Sequence, residues 1–322
     1  MVHLRRLSLL FVLASFVSCA SPKEESLEAE VPMSEVPTEE LWTIEEAKAL
    51  QDEVVFIDVR KEKDFVLAHI PGAKQVWRDD IQSNEYPYGG MAADRETISA
   101  LFSKLGVQSS SQVLLYDAKG GCDAARLWWL LKSYGHEKAA LLNGGIQAWE
   151  MEGNALEEGL SAENTPSAFA FTKEENRGMW IGVEALLDEM SSGDVLLLDT
   201  RTLEEFSGEK QKDGASLAGT IPGSVHYDWG NAVQMSSSWL LKSEADLGHD
   251  LEALGVTPDK NIVTFCHTGV RSAHTTFVLR ELLHYPNVRN YDGSWTEWSY
   301  LLKHDSLGVP LRVGLSVASP RP

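Results

Sequence analysis

One ordered set of short sequence landmarks occurs twice in this 322-residue chain, and that duplication constrains the fold more than any other feature. The first half carries Val54-Val55-Phe56-Ile57-Asp58-Val59-Arg60, and the second carries Val195-Leu196-Leu197-Leu198-Asp199-Thr200-Arg201. Each is an apolar run closing on Asp-x-Arg, the pattern of a strand buried on both faces of a parallel sheet. His69-Ile70-Pro71-Gly72-Ala73 and Thr220-Ile221-Pro222-Gly223-Ser224 follow, each a Pro-Gly turn. Val113-Leu114-Leu115-Tyr116 and Ile262-Val263-Thr264-Phe265 are a second pair of apolar runs, leading through a short loop to Arg126 or Arg271 and an apolar helical stretch. Leu142-Asn143-Gly144-Gly145 with Trp149 answers Tyr291-Asp292-Gly293-Ser294 with Trp298. The offset between halves hardly changes along the chain, as expected of a duplication.

Strands alternating with helical stretches predict an α/β fold in each half, a mainly parallel sheet flanked by helices. The first unit is expected over 41–153, a polar linker over 154–178, the second unit over 179–304 and a Pro-containing tail over 305–322. The second unit carries an insertion around 207–216 whose Gly, Lys and Asp content marks a surface loop. A chain of this length suits two domains better than one.

Ahead of the first unit, Arg5 and Arg6 precede an apolar stretch from Leu7 to Val17 that is too short to span a bilayer. Residues 1–18 therefore predict a signal peptide. Phe16-Val17-Ser18-Cys19 resembles a bacterial lipobox, with Cys19 as the lipidated residue, although Phe16 stands where Leu is usual. Plain secretory cleavage and an uncleaved anchor are the alternatives. Residues 19–40, rich in Ser, Pro and Glu, predict a flexible tether. The expected location is the periplasmic side of a bacterial envelope, with membrane contact through the lipid alone.

The formal net charge of −20 excludes a general nucleic-acid footprint and means that an anionic substrate needs cations placed locally. Three cysteines cannot build a disulfide scaffold, and if Cys19 is lipidated only Cys122 and Cys266 remain as thiols. The nine histidines are scattered and no Cys-x-x-Cys pair exists, so no metal site is expected. There is no phosphate-binding glycine loop, and no cofactor is expected.

The chemistry concentrates in Cys266-His267-Thr268-Gly269-Val270-Arg271, between a predicted buried strand and a predicted helix from Arg271 to about His284. Ligands bind beyond the carboxyl ends of parallel strands, where loop N–H groups and a helix N-terminus favour an anion and lower a cysteine's pKa. Gly269 allows the turn, and Arg271 adds a full charge. Such a cup stabilises a thiolate at its mouth and equally the anion of a persulfide. The alternative is a cysteine that merely packs behind its strand. A sulfur shut away from solvent, or amides turned elsewhere, would overturn the enzyme reading and leave that alternative.

These motifs, in order and twice over, resemble the rhodanese family of thiosulfate and mercaptopyruvate sulfurtransferases, across nearly all of 41–304. The resemblance implies tandem rhodanese-like domains of which the second is catalytic. Asp117 stands where the first half would need its nucleophile, so the first domain is expected to be inactive. It further implies that Cys266 takes a sulfane sulfur from a small anionic donor and passes it to cyanide or a thiol. His267, Thr268, Gly269, Val270 and Arg271 would surround the donor. Arg201 is a second anion contact by the same resemblance, its alternative being an ion pair with Asp199 or Glu205. A catalytic histidine at His267 is not required by a preformed thiolate. Arg271, where mercaptopyruvate enzymes have Thr, favours thiosulfate over a keto acid. Thr220 stands where many members have the histidine retained in the first half as His69.

Two rivals belong to other classes. Dual-specificity phosphatases resemble this loop but place five residues between Cys and Arg, against four here, a difference that leaves a phosphoryl group cramped. A non-catalytic binding module would not require both Cys266 and Arg271. Cys122 is either a small residue on a degenerate loop or a thiol that approaches Cys266.

Overall fold

The structure is a computed structural model describing residues 40–161 and 164–304. The expected signal segment, Cys19, nearly all of the tether and the tail from residue 305 lie outside the described residues.

The first half runs β1 (Leu41–Trp42), α1 (Ile44–Ala49), β2 (Val55–Asp58), α2 (Glu62–Leu67), β3 (Lys74–Gln75), α3 (Arg95–Lys104), β4 (Val113–Tyr116), α4 (Cys122–Ser133), β5 (Ala139–Leu142) and α5 (Gly145–Met151). The second repeats it: β6 (Trp180–Ile181), α6 (Val183–Ser192), β7 (Leu196–Asp199), α7 (Leu203–Ser207), β8 (Val225–His226), α8 (Glu244–Glu252), β9 (Ile262–Phe265), α9 (Val270–Phe277), β10 (Val288–Tyr291) and α10 (Ser294–Lys303). Both sheets are parallel, ordered β1-β5-β4-β2-β3 and β6-β10-β9-β7-β8. The strand runs named from sequence are the central strands. β4 and β9 are buried along their whole length, which is why they read as unbroken apolar runs.

Local chemistry sets several element ends. Thr43 accepts from the Glu46 amide while Glu46 accepts from the Thr43 amide, a capping box that starts α1. Ser243 and Thr202 cap α8 and α7 in the same way, each accepting an amide from the first turn. The predicted single helix after the loop starts at Val270 and widens to a π-turn over Val278–Leu282. From that turn Arg280 donates to the carbonyls of Gly178 and Val288.

The two halves share a core. Helices α4 and α9 pack against each other, and one apolar cluster joins Trp128 and Leu131 of the first half to Ala273 and Phe277 of the second. Trp128 meets Phe277 edge to face at 4.9 Å between centroids, a pairing worth about 1 kcal/mol beyond the area it buries. Polar contacts lock the seam: Tyr88 donates to Glu297, the Ala92 amide to Asp292, and Arg126 pairs with Asp292 at 2.6 Å. The connecting segment lies along the first half. Phe169 and Phe171 pack against its core, and Glu157 exchanges backbone hydrogen bonds with His69.

Candidate active site

Each central strand ends in a loop that a left-handed glycine turns into a helix. Gly269, at φ +74°, leads into α9, and Gly121, at φ +87°, leads into α4. A side chain at Gly269 would place its Cβ 2.7 Å from Arg126 Nη1 and 2.8 Å from the Asp292 carbonyl, so glycine is required twice over.

The first-half loop shows what such a cradle binds. The Asp117 carboxylate accepts four backbone amides, Lys119 and Gly121 on one oxygen and Asp123 and Ala124 on the other, at 2.6–3.1 Å. Its anion site is filled by its own side chain. Superposing the two glycine caps puts Asp123, not Arg126, opposite Arg271. Arg126 lies one turn further along α4 and serves the seam. The first loop thus carries acidic groups where the second has a thiol and a cation.

In the second half the same geometry converges on Cys266. The amides of Thr268 and Ser272 point at its sulfur, and the Ser272 hydroxyl, which has no other partner, lies beside it. Burial acting alone would raise the thiol pKa; the Arg271 charge, the Ser272 hydroxyl and the two amides outweigh it and hold the pKa below the ordinary value. Helix α10 fixes the loop backbone: Ser294 accepts the Cys266 amide, while the amides of Trp295 and Thr296 bond the carbonyls of Cys266 and His267.

Three expectations need correction. First, Cys266 is 0% exposed, so the thiol lies beneath the mouth of the cup and not at it. The insertion around 207–216 is part of the reason. It folds back over the loop, with His267 Nε2 2.9 Å from the Asp213 carbonyl and the Ser216 amide bonded to Ser299. The first half covers the loop from the other side, since Gly90 packs so closely on Thr268 that a Cβ there would sit 2.5 Å from the threonine Cβ. Second, Arg201 is closed onto its own aspartate, the alternative to an anion contact. It is 2% exposed, forks onto Asp199 at 2.5–3.1 Å and donates to the Gly219 carbonyl. Arg60 makes the same fork onto Asp58 in the half that lacks a nucleophile, so this arginine pairing belongs to the fold. Thr220, in the position of His69, adds a hydrogen bond to Asp199. Third, Arg271 is engaged through both terminal nitrogens by Glu205, at 2.6 and 2.9 Å. Burial would raise the Glu205 pKa, but the bonds and charge of Arg271 pull it down to about 2, so the pair is fully ionised near neutrality. Arg271 therefore acts on the sulfur by its field and not as an open anion grip.

Above the loop lies a cleft of about 430 Å³ whose floor includes His267, Thr268 and Val270. Its cations are Lys61, Arg78 and Arg126 from the first half and Lys212 from the insertion. Arg78 is held by Asp123, through Nε at 2.6 Å, and Arg126 by Asp292. Lys212 makes no ion pair with a described carboxylate, and burial followed by repulsion from Arg271 lowers its pKa. Sequence reasoning missed Arg78 and Lys212. The signal for Lys212 was the lysine content of the insertion, which looked like ordinary loop polarity; Arg78, from the first half, had none. His267 faces a carbonyl through Nε2, so Nε2 carries the proton; burial and then Lys212 push its pKa down to about 4, leaving it neutral near pH 7. Cys122 opens α4 with burial pushing its thiol pKa well up, and it is close enough to Cys266 and Arg271 to feel their charges. Among the described residues no His, Cys, Asp and Glu cluster is arranged to hold a metal ion.

A site of this kind can hold one sulfur as an anion, thiolate or persulfide, beneath a small cationic cleft. Comparison with known proteins places the chain as a whole. The chain is 35% identical over 254 residues to the thiosulfate sulfurtransferase of Azotobacter vinelandii, covering 79% of this chain and 90% of that protein. It is 35% identical over 255 residues to the sulfur carrier protein TtuD of Thermus thermophilus, covering 76% and 86%. The crystal structure of the Escherichia coli 3-mercaptopyruvate sulfotransferase SseA superposes with a TM-score of 0.69 at 26% identity, covering 80% of this chain and all of that one. The Tum1 protein of Saccharomyces cerevisiae, at 24% identity, shares the fold with a TM-score of 0.74, covering 83% and 96%. A profile of the rhodanese-like domain matches twice, over residues 43–152 and 182–300, and the chain belongs to the rhodanese-like family as a tandem of two such domains.

Proposed function

We propose that the protein is a sulfurtransferase that moves a sulfane sulfur from thiosulfate to cyanide or a thiol through a persulfide on Cys266. The Cys266 thiolate attacks the outer sulfur of the donor, the donor's S–S bond breaks with its electron pair leaving on sulfite, and the enzyme keeps Cys–S–S⁻. The acceptor then attacks the outer sulfur, and the Cys266 thiolate returns. The carrying observation is the concentration of the Thr268 and Ser272 amides, the Ser272 hydroxyl and the Arg271 charge on one sulfur. Lys212 and Arg78 in the overlying cleft supply the grip on the donor anion, while neutral His267 and the Thr268 side chain line its floor. A compact dianion suits this cleft better than a keto acid, and the Azotobacter relative carries the name of that activity. Because the sulfur is covered by the insertion on one side and by Gly90 on the other, donor entry requires the packing over the loop to open.

That same covering favours a second reading, a non-catalytic binding module. Steady-state turnover with thiosulfate and with mercaptopyruvate as donors, blanked with Cys266→Ser, separates the two. Thiosulfate turnover abolished by the substitution supports the proposal; equal, negligible rates for both proteins support the binding module. A mercaptopyruvate preference would assign the other donor to the same cysteine.

For the residues before the described region, the proposed role is export and lipid attachment at Cys19 on the periplasmic face of a bacterial envelope. Arg5, Arg6, the apolar run and the lipobox-like Phe16-Val17-Ser18-Cys19 support this reading. Labelled palmitate should enter the expressed full chain and be lost in Cys19→Ala. Label retained in that variant would exclude it.

A further inference from the structure

The degenerate first domain keeps a cleft of its own, and its chemistry differs from that of the cleft over Cys266. It measures about 550 Å³ and opens over the Asp117 loop, lined by Lys61, Lys63, Lys119, Arg60, Trp77 and Leu67 among others. Arg60 is committed to Asp58 and Asp123 to Arg78, which leaves three lysines, Lys61, Lys63 and Lys119, against the single carboxylate of Asp64. Lys61, Lys63 and Lys119 make no ion pair with a described carboxylate. In a chain of net charge −20 this is a local inversion of sign. Apolar surface accompanies it, since Leu67 is 72% exposed and the Trp77 ring lies between Lys61 and Arg78, 5.5 and 5.4 Å from its centroid. Lys61 and Trp77 also line the cleft over Cys266, so the two clefts adjoin.

We propose that this first-domain cleft docks the sulfur acceptor, and that the acceptor is a small thiol carrying carboxylates. The inference rests on the persulfide reading above and names the acceptor for that same site. The argument runs through the Asp117 loop. Its anion cradle is filled by its own carboxylate, so nothing can be transferred there, yet the ammonium groups above it remain unneutralised. A compact donor needs only the cleft over Cys266. A larger acidic thiol gains ammonium contacts for its carboxylates and the Trp77 and Leu67 surface for its carbon skeleton, with the shared Lys61–Trp77 wall leading its sulfur toward Cys266. There the acceptor thiolate attacks the outer sulfur of Cys266–S–S⁻, the bond between Cys266 Sγ and that sulfur breaks, and the products are the acceptor persulfide and the Cys266 thiolate. No oxidant or reductant is needed.

The test uses the full chain, loaded with thiosulfate and then mixed with acceptor, following loss of the enzyme persulfide. Glutathione is the acidic probe and 2-mercaptoethanol the uncharged one. Lys63 and Lys119 line the first-domain cleft but not the cleft over Cys266, so the variant is Lys63→Gln with Lys119→Gln. Both side chains are exposed, and the charge-keeping pair Lys63→Arg with Lys119→Arg controls for folding. The expected result is a glutathione-to-mercaptoethanol rate ratio lower by about five- to tenfold in the Gln variant, restored in the Arg variant and compressed by high salt. An unchanged ratio, whether because neither rate moves or because both fall together, overturns the docking site while leaving the persulfide reading intact. Failure of wild-type protein to load sulfur at all overturns that reading and this inference with it.

Discussion

Removing the Ser272 hydroxyl is the sharpest perturbation of the cup. Ser272 is 0% exposed, its hydroxyl makes no hydrogen bond in the resting structure, and both that hydroxyl and the Ser272 amide lie near enough to the Cys266 sulfur to lower its pKa. Ser272→Ala therefore deletes one donor to the thiolate and leaves the backbone, Arg271 and the neighbouring amides in place. A hydrogen bond to a charged group contributes about 1.5–3 kcal/mol. At about 1.4 kcal/mol per pKa unit, the Cys266 pKa should rise by about one to two units. The thiolate's ultraviolet absorbance, followed against pH and corrected with Cys266→Ser, reads the midpoint directly. Cys122 does not interfere, because burial pushes its pKa well up. Fold stability should change little, as the hydroxyl bonds no other protein group and the alanine keeps the backbone in place. A midpoint that moves by less than about 0.3 units would refute the claim that this hydroxyl stabilises the thiolate.

Further outcomes follow from other parts of the site. Lys212→Met should raise the KM for thiosulfate by about tenfold with kcat nearly unchanged, in line with loss of one charge-assisted contact to the donor; an unchanged KM in steady-state assays would remove Lys212 from donor binding. Gly269→Ala combines a left-handed backbone with contacts of 2.7 and 2.8 Å and should lower the melting temperature by about 5 °C or more. Gly153→Ala, at the same φ of +74° with nothing within 4 Å, should lower it by less, and equal shifts by calorimetry would contradict the packing argument. Buried His274 donates to the Gly120 carbonyl across the domain seam, and burial pushes its pKa down to about 4 from 6.5. The unfolded chain then binds that proton first, so stability should fall as pH drops from about 6.5 to 4, by roughly 1.4 kcal/mol per pH unit from this residue. Urea midpoints that stay flat across that window in wild type would exclude the depressed histidine.

Much of the fold was legible because parallel strands buried on both faces leave an unmistakable trace. The apolar runs at 54–59 and 113–116, and their partners in the second half, are the central strands of the two sheets. The loop was legible too, since a Cys followed by Gly and Arg between strand and helix admits few geometries. What escaped were facts created by tertiary packing. Nothing in the composition of 207–216 says that Asp213 comes to rest on His267, so the burial of Cys266 could not be read. The position of Arg201 was readable in principle: Asp58-Val59-Arg60 repeats the motif in the half without a nucleophile, a sign that the arginine closes on its own aspartate. Arg78 escaped for a different reason. It comes from the other domain, and a cleft assembled across a seam has no local sequence signature.

The central claim is that one covered thiol carries the sulfur, and the mass of the protein after thiosulfate treatment tests it most directly. The account predicts a gain of one sulfur atom, located on the peptide containing Cys266, removed by cyanide and absent from Cys266→Ser. A chain that stays at its original mass while its Cys266 thiol is shown to be free, or one that gains the sulfur on Cys122 instead, would contradict it.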